Sequence, residues 1–225
     1  MYNYILSIAA VFIGAIFVFL FKASNQKNLK LLLAFSGAFL LAITVFDLLP
    51  EVFENNQFAK RTGVWIMIGI LLQKILEYFS KGAEHGHIHL DKETNQIPKL
   101  LFISLGLHAI LEGVPLQHTD GILMGIIIHK IPIAMILTTF LLNTKIKRNI
   151  IVLTLIIFAL MTPLGTFISE NFTLVQNYYQ EITALVIGIF LHVSTTILFE
   201  SNEGHKFNIT KLLVILIATI AAYLI

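Results

Sequence analysis

Residues 100–142 read LLFISLGLHAILEGVPLQHTDGILMGIIIHKIPIAMILTTFLL. Two apolar runs, 100–117 and 120–142, are parted by a tight polar turn at Gln117 to Gly121. Each run approaches the roughly 20 residues that a helix needs to cross the hydrocarbon layer of a membrane. Each also carries ionisable side chains within its apolar stretch: His108 and Glu112 in the first, His129 and Lys130 in the second. A charged side chain at the bilayer centre costs roughly 2.5–3.5 kcal/mol on insertion scales, so it usually marks a pathway or a site. The same 43 residues therefore set the fold class and show where function should be sought.

The pattern repeats along the chain. A window of about 19 residues predicts eight spans, at 2–21, 31–50, 63–79, 100–117, 120–142, 149–169, 181–200 and 208–225. The third is short and carries Gln73, Lys74 and Glu77. Composition agrees: 57% of the residues are apolar and 12% are charged, against roughly 25% charged in a soluble domain. The predicted fold is an all-α integral membrane protein in which residues 1–225 form a single transmembrane domain, with lipid as its solvent. The first apolar run is too long for a signal peptide, lacks a basic flank and ends at Lys22 without a small-residue cleavage site, so it reads as a retained span. The net charge of +2 gives no reason to expect nucleic acid.

Basic residues orient the predicted spans. Loops after odd-numbered spans hold eleven Lys or Arg, those after even-numbered spans only Lys60 and Arg61. By the positive-inside rule the odd loops lie in the cytoplasm and both termini outside. The polar loop at 80–99 is then cytoplasmic, and it holds His85, His87 and His89. Alternating histidines on such a loop either bind a borderline metal weakly or are incidental to a solvated linker.

The chain has no cysteine, so a metal site must use imidazole, carboxylate, amide or water. His108 and Glu112, four residues apart, put an imidazole and a carboxylate on one helix face. His129 lies near the middle of the next span, an antiparallel neighbour at comparable depth. Three ligand-type groups on adjacent helices favour a metal site over packing. His192, taken alone, favours an interhelical hydrogen bond. Pro115 and Pro132 should free the carbonyls of Leu111 and Ile128 as further oxygens. Asp47 and Glu51 at the end of span 2, and Glu200 at the end of span 7, are candidates for the pathway.

At these residues the chain resembles the ZIP family of metal transporters (Zrt- and Irt-like proteins). The span 4 pattern His-x-x-x-Glu-Gly appears as His108 to Gly113, and the span 5 pattern of a His three residues before Pro as His129 to Pro132. The Leu-Leu-Pro-Glu ending of span 2 appears at Leu48 to Glu51, Pro-Leu-Gly at Pro163 to Gly165, and span 7 has a matching Gly188 and Glu200. The resemblance implies eight spans in a 3+2+3 arrangement, with an inverted repeat relating spans 1–3 to 6–8. It also implies a two-metal site in many members, but here four of its positions are Ala109, Lys130, Ile133 and Thr162. All four changes remove ligands of the second metal, and none touches His108, Glu112 or His129. A mononuclear site with the Lys130 ammonium in place of the second ion, paired with Glu112 or Asp47, is the expectation.

Residues and resemblance together predict a divalent-metal carrier, not an enzyme, working by alternating access. Metal would come in past Asp47 and Glu51, bind His108, Glu112 and His129, and leave towards the loop histidines. The donor set suits Zn²⁺ best, with Fe²⁺, Mn²⁺, Co²⁺ and Cd²⁺ as alternatives. Zinc is cargo here, and no cofactor is expected. The partners are the metal ion and the bilayer of a cytoplasmic membrane, with a homodimer among the options. Two rivals stay open: an intramembrane zinc hydrolase, and a relative that binds metal without moving it.

Overall fold

The computed structural model describes residues 2–21, 26–54, 59–83, 96–117, 120–200 and 209–225. Helix α1 spans Tyr2–Phe21 and α2 spans Gln26–Ile43. A π-helical turn at Thr44–Leu48 joins α2 directly to α3, Leu49–Glu54. Then come α4 (Ala59–Ser80), α5 (Lys99–Gly113), a 3₁₀ turn at Val114–Gln117, and α6 (Asp120–Leu142). Helix α7 (Arg148–Asn171), the short α8 (Thr173–Asn177), α9 (Tyr179–Glu200) and α10 (Ile209–Tyr223) complete the chain.

Seven of these helical stretches are long and apolar enough to cross a membrane, among the described residues. The third reaches from Ala59 to Ser80, about 33 Å at the helical rise, because its polar residues divide between two environments. Gln73 is buried against the bundle while Lys74 is exposed. Helix α10 is apolar but has 15 described residues, about 22 Å of helix. The chain is thus a multi-pass membrane protein whose regular elements, among the described residues, are all helices.

Proline shapes two of the spans. Pro50 has no N–H to offer the carbonyl of Phe46, and one turn earlier the helix widens, with the Leu49 N–H reaching back to the carbonyl of Thr44. The Thr44 hydroxyl donates to the carbonyl of Leu40 at 2.7 Å. At Pro115 the outcome differs from the sequence expectation. The Leu111 carbonyl is not freed: the Val114 N–H donates to it as α5 tightens into its 3₁₀ turn.

Helices pack in four main pairs, α4 with α9, α10 with α2, α1 with α6, and α5 with α7. The buried apolar side chains form two clusters along the same division. One draws on α2, α3, α9, α10 and one face of α6. The other draws on α1, α5, α6 and α7. Two of the pairs close on glycines that face each other. A Cβ at Gly113 or Gly165 would run into the backbone carbonyl of the facing helix, at Thr162 and Ile110. Gly69 and Gly188 do the same for α4 and α9, against Leu185 and Ile66. Small residues of this kind let helix backbones touch where lipid gives no hydrophobic push between them.

Candidate metal site

Close contact between α5 and α7, with α6 laid alongside, buries a polar cluster in the bundle. His108 and Glu112 rise from α5 and His129 and Lys130 from α6, all four at most 4% exposed. The His108 Nε2 lies 3.6 Å from Glu112 Oε2. Two donors held at about 2.0–2.1 Å from a tetrahedral zinc stand about 3.3 Å apart, so this pair is already near ligand spacing. The rings of His108 and His129 have centroids 6.2 Å apart and meet edge to face. That is about an ångström wider than the roughly 5 Å expected for two imidazoles sharing one zinc. Among the described residues no three His, Asp or Glu side chains are closed on a common point. The donors are gathered in one buried cluster but are not closed on one point.

The other carboxylate oxygen of Glu112 is engaged elsewhere. Lys130 Nζ donates to Oε1 and to the hydroxyl of Thr162 on α7. That hydroxyl has one proton to share between Glu112 Oε1 at 2.7 Å and the Ala109 carbonyl at 3.0 Å. Lys130 also lies 5.3 Å from the centre of the Phe158 ring, within cation–π range. Sequence reasoning left Glu112 and Asp47 as alternative partners for Lys130, and the structure selects Glu112. The His108 ring is fixed from the opposite side, its Nδ1 3.1 Å from Oε1 of Gln73 on α4. A neutral ring that donates from Nδ1 presents a lone pair on Nε2, the nitrogen facing Glu112.

A second His–Glu pair joins α4 to α9. His192 Nε2 lies 2.8 Å from Glu77 Oε2, and Lys74 Nζ reaches the same oxygen at 3.2 Å. The interhelical bond anticipated for His192 has Glu77 as its partner. Glu77 is one turn beyond Gln73, about 6 Å further along α4 towards Ser80.

The remaining candidates are more dispersed. Asp47, half-buried in the π turn, sits over the start of α6, where a Cβ on Gly121 would stand 2.6 Å from its Oδ2. Gly121 precedes His129 by eight residues, about 12 Å of helix, so Asp47 is not in the His108 cluster. Glu51 is half-buried on α3. Glu200 is the last residue of α9, and its side chain lies outside the described residues, as do His85, His87 and His89. Reading the sequence missed Gln73 and Glu77 as members of the polar system. The available signal was their spacing, four residues apart on a single helical face.

No family model matches the chain. A stretch of 93 aligned residues is 34% identical to the zinc transporter ZIP1 of Danio rerio, covering 38% of this chain and 30% of that protein. The match thus spans less than a third of the relative's length.

Proposed function

We propose that this protein carries divalent metal ions, zinc foremost, into the cytoplasm through one intramembrane site formed by His108, Glu112 and His129. What carries the reading is the 3.6 Å approach of the His108 and Glu112 donor atoms, buried among apolar helices beside a third donor-bearing residue. Partial similarity to a zinc transporter supports the same reaction class.

The arrangement offers a route. Asp47, over the α6 terminus, is an acidic mouth that attracts cations, with Glu51 beside it on α3. From the His108 cluster, Gln73 leads one turn along α4 to Glu77 and His192, and then to the segment bearing His85, His87 and His89. Lys130, held by Glu112 and Thr162, occupies the place where the family resemblance implies a second ion, which makes the site mononuclear. In this reading α10 is an eighth span, both termini lie outside, and the membrane is the cytoplasmic one.

Helix pairing supports a 3+2+3 arrangement with an inverted repeat. Exchanging the first three spans with the last three, and α5 with α6, turns the α4–α9 pair into α10–α2 and the α1–α6 pair into α7–α5. Both partners of each exchange are main contacts of the bundle. Two halves related in this way suit alternating access. A protonated imidazole offers no lone pair to a metal, so uptake falls as the medium is acidified.

The test is zinc influx into proteoliposomes with and without His108→Ala. Influx abolished by the substitution supports the carrier. A wild type that binds zinc stoichiometrically yet passes none would instead indicate a hydrolase or a non-transporting binder.

A further inference from the structure

Apart from imidazoles, Glu112 and Lys130 are the two buried ionisable side chains among the described residues, and they are paired with each other. The pairing divides the Glu112 carboxylate. Oε1 faces Lys130 and the Thr162 hydroxyl, while Oε2 faces His108 Nε2 at 3.6 Å. One oxygen is thus committed to a cation fixed to the chain, and the other is turned towards the imidazole where a metal would bind. Lys130 need not leave when metal arrives, because Thr162 and the Phe158 ring hold it on the far side of the carboxylate.

On the carrier reading above, we propose that Lys130 is a built-in counter-ion that makes the empty site electrically neutral, so that the membrane potential drives uptake without proton exchange. The pair sums to zero whichever partner holds the proton. An empty carrier then returns without moving charge, and a loaded one moves the two charges of the metal. Lys130 also weakens binding, since its charge lies a few ångströms from the ion in a dry interior. Weak binding suits a carrier that must release its cargo into a compartment poor in free metal. At equilibrium, two charges per ion convert a 100 mV potential into a zinc ratio of roughly 2,000-fold.

The experiment has two arms. In the first, zinc flux through the wild type in liposomes is measured against potassium–valinomycin potentials, with and without a pH gradient of one unit. The expected zero-flux potential moves by about 30 mV for each tenfold zinc gradient and is unchanged by the pH gradient. Zero-flux potentials that follow the pH gradient, or flux indifferent to voltage, would overturn the proposal while leaving the carrier intact. Absence of wild-type flux at every potential would overturn both. In the second arm, zinc is titrated into purified wild type and Lys130→Met. Affinity at least tenfold tighter in the variant is expected once Glu112 is no longer shared. Unchanged or weaker affinity would sink the counter-ion role, since a lysine that merely packs would not hold affinity down.

Discussion

The α5–α7 pair and the α4–α9 pair are built alike. Each closes on two facing glycines, Gly113 with Gly165 and Gly69 with Gly188. Each also holds a glutamate touched by a histidine and a lysine: Glu112 with His108 and Lys130, Glu77 with His192 and Lys74. Their settings differ. The Glu112 side chain is 2% exposed and its lysine equally hidden, whereas Glu77 is 13% exposed and its lysine 62%. Lys74 lies on the outer face of its helix, so losing it leaves no partner sealed inside the bundle. Lys130 is enclosed on all sides, so the same three residue types make a tightly coupled charge system in one place and a looser one in the other.

Five substitutions break or sharpen that contrast. Glu112→Ala strands the Lys130 ammonium in the interior, and a loss of about 3–5 kcal/mol is expected, read as thermal unfolding in detergent. Glu77→Ala should lose about 1 kcal/mol or less, as at a partly solvated pair. Equal losses at the two glutamates would erase the distinction. Gly165→Val drives a branched side chain into the Ile110 carbonyl, at roughly 1–3 kcal/mol or more. It should also stop zinc influx by parting α5 from α7, which carry Glu112 and Thr162. Thr162→Val keeps the shape but removes the hydroxyl shared by Lys130 and Glu112, and about 1–3 kcal/mol is expected for the groups left short of a partner. A neutral outcome there would show that the ion pair alone positions Glu112. Lys74→Ala should change stability by no more than about 1 kcal/mol. An effect on zinc influx as large as that of His108→Ala would promote the α4–α9 cluster to an equal partner.

Much of this could be read in the residues, because the bilayer leaves few choices. A helix satisfies its own backbone in lipid, so apolar runs of about 20 residues determined helices, seven of them long and apolar enough to span among the described residues. His108, Glu112, His129 and Lys130 stood out for the same reason, as costly groups in an apolar stretch. Their order also placed His108 and Glu112 on one face. What the residues alone could not decide was which neighbour each polar group meets across the bundle. Contact between α5 and α7 depends on Gly113 and Gly165 meeting face to face, and that contact brings Thr162 to Glu112. Selection of Glu112 over Asp47 as the partner of Lys130, and of Gln73 as the support of His108, likewise depends on how helices distant in sequence lie side by side. Hydropathy reports the depth and length of a helix but not its rotation about its own axis, and rotation is fixed only by packing against the other helices.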